Sequence, residues 1–148
     1  VTRLLELGVP GYLIKATVLG IMAQRLVRTL CPHCKQPTPI EADDWQSLIR
    51  PWKAPLPTQA CKPVGCLECR GTGYRGRTGV YEILLMSESV RGLVSDQADA
   101  EALRRAGMKE GMRSLRLSGA QKIANGLTTI DEVLRVTPAS SDWIAMTE

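Results

Sequence analysis

The sequence predicts a mostly α-helical fold with one short β element and a small module built on four cysteines. Three observations predict this fold. Apolar residues recur at helical spacing near the start of the chain and again over its last third. Seven of the nine prolines lie between Pro32 and Pro63, a stretch that begins inside the first of two Cys-x-x-Cys pairs and ends before the second. A short run of strand-forming residues follows the second pair, and the length of 148 residues suits about one domain.

The first predicted helix covers about Pro10 to Leu30, where apolar side chains recur at steps of three to five residues, and it would deliver Cys31 at its end. The prolines between Pro32 and Pro63 leave room for one short helix, near Glu41 to Ile49. The run from Val80 to Met86 predicts a strand. Before that strand, glycines predict tight turns with positive φ. These glycines are Gly65, Gly71, Gly73, Gly76 and Gly79.

Three helices are predicted after the strand, over Glu88 to Ser95, Ala98 to Arg105 and Ser114 to Asn125, and Gly126 suits the C-cap of the last one. Thr129 and Glu132 fit a capping box that opens a final helix, which ends near Val136. The predicted organisation has four parts. They are a helical part over 1–30, the cysteine module with its proline-rich loop over 31–79, a strand followed by helices over 80–137, and a tail over 138–148.

The cysteine pairs predict a metal site made of Cys31, Cys34, Cys66 and Cys69. Two intervening residues allow both sulfurs of one tight turn to reach the same ion, and two such turns complete a tetrahedron around zinc. The stretch from Glu41 to Pro63 would then be an inserted loop. Since protein ligands fill all four positions, the site would be structural rather than hydrolytic. A rubredoxin-like iron site and plain reduced thiols remain alternatives.

Basic residues concentrate around the cysteines. Between Arg25 and Arg77 lie nine Lys or Arg residues against four acidic ones, whereas the whole chain carries a net charge of +4. Four thiolates with one zinc ion carry a charge of −2, which this surplus would compensate. Cys61 lies outside both pairs, and we expect a free or partly buried thiol there. We expect His33 to be a solvated neighbour of the site.

The sequence contains no recognisable catalytic set, and we assign no catalytic residue. Gly71 to Gly76 spells G-x-G-x-x-G, but a dinucleotide-binding fingerprint follows a strand and opens a helix, whereas this stretch precedes a strand. No glycine is followed by lysine, so the sequence holds no phosphate-binding P-loop. The single histidine lies between cysteines, which argues against a Ser-His-Asp or Cys-His set. The uncharged stretch from Ala16 to Gln24 is too short to span a membrane.

Four blocks of the sequence, in this order, resemble the C-terminal part of the bacterial type II secretion ATPases (general secretion pathway protein E) and of the related type IV pilus assembly ATPases. The blocks are Arg3–Gly8, Ala23–Cys34, Gly65–Gly79 and Gly126–Thr137. The form of the last two is closer to type II secretion than to pilus assembly. The chain has no initiator Met, and we expect that it is cut from a longer protein.

The resemblance implies a RecA-like, hexameric ATPase that needs ATP and magnesium and works on the cytoplasmic face of the inner membrane. Residues 1–30 would be the helical end of its ATPase core, and the nucleotide-binding loops would precede Val1, so this chain alone would not hydrolyse ATP. Arg77 matches a position near the nucleotide in the family, with compensation of the thiolate charge as the alternative role. The implied partners are the neighbouring subunits of a homohexamer and the cytoplasmic parts of inner-membrane platform proteins, with no nucleic acid.

The implied role is mechanical. A zinc-pinned module would project from the motor, and the helical remainder would transmit ATP-driven movement to the platform during pseudopilus assembly and protein export. Two rival functions remain open. Cys66 to Gly73 matches one C-x-x-C-x-G-x-G repeat of DnaJ-type co-chaperones, which use four such repeats. A nucleic-acid-binding zinc ribbon would use the basic middle segment for phosphate contacts.

Overall fold

The computed structural model describes residues 1–95 and 97–138, and within them the chain forms seven α-helices and four strands. The predicted tail lies outside the described residues, apart from Pro138. The first half contains α1 (Thr2–Glu6), α2 (Gly11–Thr17), β1 (Gly20–Leu30), β2 (Gln36–Pro37), α3 (Ala42–Ile49), β3 (Cys61–Lys62) and a 3₁₀ turn (Leu67–Cys69). The second half contains β4 (Tyr74–Leu85), α4 (Glu88–Leu93), α5 (Ala100–Lys109), α6 (Leu115–Ala124) and α7 (Ile130–Val136).

The chain folds into two compact units, and two of the three boundaries between them fall inside the long strands β1 and β4, while the third falls just before α6. The first unit consists of Val1–Ala23 and Glu82–Ser114, and the second contains Gln24–Tyr81 together with the chain from Leu115 onward. β1 and β4 pair with each other. Hydrogen bonds from Met86 N–H to the Leu19 carbonyl (3.0 Å) and from Cys31 N–H to the Gly73 carbonyl (2.9 Å) show that they run antiparallel. The four-part division expected from the sequence stays a prediction.

The first unit is built around a small apolar core. Its buried side chains come from α2, from the end of β4 and from the two helices that follow, and they are Ile14, Met86, Val90, Val94 and Leu103. Both of these helices are capped by their own sequence. The Ser87 hydroxyl accepts the Val90 N–H, and the Asp99 carboxylate accepts the N–H groups of Glu101 and Ala102. α4 and α5 match the helices predicted over Glu88 to Ser95 and Ala98 to Arg105 to within a few residues at their ends.

The second unit has a helical core in which α6 packs against both α3 and α7. α3 buries Trp45, Leu48 and Ile49, although it lies within the proline-rich stretch. At the contact between α6 and α7, a Cβ at Gly119 would collide with the side chain of Val133, so a small residue is needed there. The stretch expected to be an inserted loop therefore supplies part of the core. The two ends of this stretch are joined by the antiparallel pair β2–β3, with Gln36 opposite Lys62 and Pro37 opposite Cys61.

The predicted helix from Pro10 to Leu30 is wrong in its second half. α2 ends at Thr17, and the chain then forms β1 from Gly20 to Leu30, so that a strand delivers Cys31. The physical reason is tertiary: β1 finds its hydrogen-bond partners in β4, which is distant in sequence, and this pairing overrides the helical spacing of the apolar residues. The predicted strand is correct but too short, because β4 begins at Tyr74 rather than Val80.

The glycine prediction is largely confirmed. Gly65, Gly71 and Gly73 precede β4 and have positive φ, as predicted. Gly76 and Gly79 both lie inside β4, where Gly76 has positive φ and Gly79 does not. Gly126 ends α6 with φ of 61°, as expected for a C-cap glycine. None of the helices in the described part of the chain is both long and apolar enough to cross a membrane.

Candidate metal centre

The structure brings together the four cysteines that the sequence predicts as ligands. The Sγ atoms of Cys31, Cys34, Cys66 and Cys69 all lie within 4.8 Å of one another. Sγ of Cys66 is 3.7 Å from that of Cys69, Sγ of Cys34 is 3.8 Å from that of Cys69, and Sγ of Cys31 is 3.9 Å from that of Cys66. Disulfide sulfurs lie about 2.05 Å apart, so these are four free thiols rather than two disulfides.

These distances fit a single tetrahedral ion. A zinc ion with four sulfur ligands at about 2.3 Å requires sulfur–sulfur edges of about 3.8 Å. Three of the six edges lie within 0.1 Å of that value, and the other three are no longer than 4.8 Å. Four sulfur donors are a soft set that suits zinc or iron, and a closed tetrahedron leaves no position for a reacting water. The arrangement can therefore hold a structural ion, and the donor atoms alone do not distinguish zinc from iron.

Two tight turns present the sulfurs. The first follows β1: Cys31 is fully buried, and its carbonyl accepts the N–H groups of Cys34 (3.4 Å) and Lys35 (3.0 Å). The second is the 3₁₀ turn, in which Cys66 Sγ accepts the Cys69 N–H while Cys69 Sγ accepts the Cys66 N–H. Arg70 then adopts a left-handed conformation with φ of 53°, which reverses the chain. Each turn thus aims both of its sulfurs at one point.

Backbone donors stabilise negative charge on the sulfurs. Cys34 Sγ accepts the Gly65 N–H at 3.3 Å, and Cys69 Sγ accepts the N–H groups of Cys66 and Gly73, both at 3.2 Å. Burial raises the pKa of Cys69, but these N–H donors and the thiols of Cys66 and Cys34 outweigh it and lower this pKa to about 6. Without a cation, Cys69 is therefore the cysteine whose thiol ionises readily.

A second negative charge meets resistance at Cys66. The Cys69 N–H that its sulfur accepts lowers the pKa of Cys66, but burial and the neighbouring thiols outweigh that donor and raise this pKa to about 11. A bound dication would remove this resistance, because it attracts every thiolate in the cluster at once. A cation held by the four sulfurs would therefore stabilise the thiolate of Cys66.

The lysines and arginines compensate this charge less directly than the sequence suggests. Lys35 donates its ammonium to the Gly126 carbonyl at 2.9 Å, and Arg28 is engaged with Glu132. Arg75 pairs at 3.1 Å with Glu68, and both side chains are exposed. The donors that contact the sulfurs are backbone N–H groups, which is how a tight turn satisfies a thiolate without a long side chain.

The other residues singled out from the sequence lie outside the cluster. Cys61 is a half-buried free thiol on β3, and its Sγ donates to the Gln59 carbonyl at 3.5 Å, as expected for a fifth cysteine without a ligand role. His33 is exposed between the two cysteines of the first turn. Arg77 is exposed on β4, and its role near a nucleotide stays a prediction.

Sequence reasoning missed a buried ionic network beside the metal centre. Glu132 is 2% exposed, and its carboxylate accepts the Arg28 N–H (3.0 Å), the Arg28 guanidinium (2.6 Å) and the Arg135 guanidinium (2.8 Å). Burial raises the pKa of Glu132, but the bonds from Arg28 and the charge of Arg135 outweigh it and hold this pKa below its usual range. Glu132 is therefore charged in the folded chain.

The capping box predicted at the start of α7 is half correct. The Thr129 hydroxyl accepts the Glu132 N–H at 3.4 Å, as expected, but the Glu132 carboxylate binds Arg28 instead of returning to the N-cap. No local pattern could have revealed this pairing, because Arg28 and Glu132 are 104 residues apart. The network extends to Tyr74, whose ring lies 4.1 Å below the Arg28 guanidinium and whose hydroxyl contacts Thr129 at 3.1 Å.

Comparison with known proteins gives consistent matches along the chain. The family model for type II/IV secretion system proteins matches residues 1–135. The chain is 47% identical to the type IV pilus assembly ATPase TfpB of Acinetobacter baylyi, over 93% of this chain and 23% of that protein. It is 40% identical to the type II secretion system ATPase E of Vibrio cholerae, over 95% of this chain and 27% of that protein.

A third relative is the type II secretion system protein HxcR of Pseudomonas aeruginosa, which is 42% identical over 93% of this chain and 25% of that protein. The chain thus spans about a quarter of the length of the curated relatives it matches. The resemblance recognised from four sequence blocks is confirmed.

Proposed function

The chain belongs to the type II/IV secretion system protein family, and on this basis we propose that it is the C-terminal, zinc-stabilised part of a hexameric ATPase that powers pseudopilus assembly and protein export. One observation carries the proposal: a complete tetra-cysteine cluster lies within a chain related along most of its length to secretion ATPases. Two Cys-x-x-Cys turns by themselves would suit many small zinc proteins. Their combination with the similarity to secretion ATPases favours a secretion motor.

Zinc would serve as a clamp between the two cysteine turns. Four metal–sulfur bonds would join the end of β1 to the 3₁₀ turn, in addition to the short β2–β3 pair and the backbone hydrogen bonds between these segments. The cysteines hold the ion, the N–H groups of Gly65 and Gly73 stabilise their charge, and the buried α3 anchors the intervening stretch to α6. A rigid module of this kind can transmit movement.

ATP and magnesium would be bound by other parts of the longer protein, because this sequence has no Gly-Lys pair to form a P-loop. We propose the same partners that the resemblance implies: neighbouring subunits of a homohexamer and the cytoplasmic parts of platform proteins at the inner membrane. We expect no nucleic-acid partner.

Exposed apolar side chains on the first unit support a role within a larger assembly. Leu19 is 80% exposed, Leu85 is 67% exposed and Met22 is 60% exposed, all on or beside the paired strands β1 and β4. An exposed apolar surface of this kind is typical of one that another part of an assembly covers.

Pilus assembly is the second candidate. The 47% identity to TfpB favours it, and the same module could serve either fibre, since both would need a motor that moves fibre subunits. The two candidates differ in the cargo of the machine and not in the geometry of this chain.

The experiment replaces Cys31 by serine in the full-length protein of its host and measures exported proteins and surface pili. We expect the output of the machine to fall by at least about tenfold, because three sulfurs hold a structural ion far less tightly than four. Cys61→Ser is the matched control, since its thiol lies outside the cluster, and it should leave the output unchanged. Loss of pili with intact export would favour the pilus candidate, and full retention of both would contradict the proposal.

A further inference from the structure

The stretch Gly126–Glu132, which we name the clamp segment, lies along the end of β1 and is bound to it by main-chain and side-chain hydrogen bonds. Leu30 N–H donates to the Leu127 carbonyl at 2.8 Å, and the Thr128 hydroxyl donates to the Arg28 carbonyl at 2.8 Å. Arg28 N–H donates to the Glu132 carboxylate at 3.0 Å. Every one of these contacts falls within the three residues before Cys31.

A first route leads from Glu132 to the first cysteine turn. Glu132 and Thr128 hold the N–H and the carbonyl of Arg28, so the direction of β1 is set just before its last residues. On the opposite edge, Cys31 N–H donates to the Gly73 carbonyl at 2.9 Å. The backbone that carries Cys31 is therefore held from both sides, by the clamp segment and by the start of β4.

A second route leads from Glu132 to the second cysteine turn. The carboxylate holds the Arg28 guanidinium, which lies over the Tyr74 ring at 4.1 Å, and Tyr74 is also bound to Thr129 through its hydroxyl. The residue before Tyr74 is Gly73, whose N–H donates to Cys69 Sγ at 3.2 Å. The position of Tyr74 therefore affects both polar groups of Gly73. The Gly73 N–H donates to Cys69 Sγ, and the Gly73 carbonyl accepts the Cys31 N–H.

We propose that Glu132 is a remote positioning residue of the metal centre, which acts through Arg28 to align cysteines on both turns. The inference rests on the proposed binding of a metal by the four cysteines. Groups beyond the ligands that orient them change metal affinity by about 10–100-fold when they are removed. Since binding free energies are reciprocal, the bound metal would in turn stabilise the clamp segment and α7.

The test uses the full 148-residue chain loaded with zinc, and it follows transfer of the metal to an excess of a chromogenic chelator. Glu132→Gln keeps the size of the side chain but removes its charge, and it should release zinc about tenfold faster than the wild type. With cobalt in place of zinc, the visible spectrum should still report four thiolate ligands. Thr128→Val removes a separate hydrogen bond of the same route, and faster release is expected from it as well.

Glu82→Gln is the matched control. Glu82 also pairs with an arginine, Arg104 at 2.7 Å, and is largely buried, but this pair belongs to the first unit. Its loss should lower stability without changing zinc release. Wild-type release rates in both Glu132→Gln and Thr128→Val would overturn the inference, as would equal acceleration by Glu82→Gln. If Glu132→Gln fails to fold, Thr128→Val decides. A wild-type chain that takes up no zinc would overturn the proposed function itself. A wild-type release rate in the Glu132→Gln variant would leave the proposed function intact.

Discussion

At the scale of the residue, Glu132 illustrates how a buried carboxylate can be kept charged. Its side chain is almost inaccessible, and removal from water alone would raise its pKa. Two guanidinium groups and one backbone N–H contact the two oxygens, and these donors favour the charged form. Removing a partner from a buried carboxylate leaves a buried charge without compensation, which strongly destabilises the fold. Loss of Arg28 should therefore lower the free energy of unfolding more than loss of an exposed arginine.

The charge of Glu132 predicts a pH dependence of stability. Because its folded pKa lies below the ordinary value of about 4.3, its contribution is complete above that pH and is lost as the pH falls through the folded pKa. At neutral pH we expect Glu132→Gln to unfold with a free energy about 2 kcal/mol below that of the wild type. The gap should shrink below about pH 4, as measured by urea unfolding.

Because glutamine keeps the size of the glutamate side chain, the comparison between the two proteins isolates the charge of Glu132. A gap that stayed constant down to about pH 3 would contradict a depressed pKa at this residue.

Also at this scale, the cysteines could be predicted and the ionic network could not. Cys31 with Cys34 and Cys66 with Cys69 follow a local rule, since two intervening residues suffice to form a metal-binding turn. The network around Glu132 depends on a residue 104 positions away, and the sequence pattern around Thr129 predicts only a helix cap. Local spacing therefore predicts candidate ligands, whereas the ionic network around Glu132 emerges only from tertiary contacts.

At the scale of the element, helices with their own caps and periodicity were predicted, and the strand β1 was not. α4 to α7 begin near Ser, Asp or Thr caps or end near glycine, which are local signals. The apolar residues of β1 fit a helical repeat, and only the partner strand β4, more than forty residues further on, selects the extended form. The same distance explains why β4 was predicted too short.

α3 is the element whose importance the sequence understates. It lies among prolines, yet Leu48 is fully buried against the helical core of the second unit. Leu48→Ala should lower the free energy of unfolding by about 3 kcal/mol, because it leaves a cavity in that core. Urea denaturation of the zinc-loaded chain measures this loss.

Leu67→Ala is the matched control. This substitution removes the same number of atoms, but Leu67 lies on the 3₁₀ turn and is 97% exposed. It should change stability by less than about 0.5 kcal/mol. Equal losses from the two substitutions would show that α3 is not part of the core.

At the scale of the whole molecule, the second unit combines a helical core with the four-cysteine cluster, while the first unit forms a separate small core. The family relationship could be recognised from four blocks, because they contain the four clustered cysteines, the glycines before β4 and the start of α7. The division into two units could not be predicted from the sequence, because β1 and β4 each run from one unit into the other without an interruption at the boundary.

The central claim is that four sulfurs share one ion, and metal analysis combined with thiol counting tests it most directly. On the purified native chain, we expect one zinc per chain and one thiol that reacts readily, that of Cys61, with all five reacting after the metal is removed by a chelator under denaturing conditions. A chain without bound metal, in which the thiols of the cluster react as readily as Cys61 while the second unit stays folded, would contradict the account.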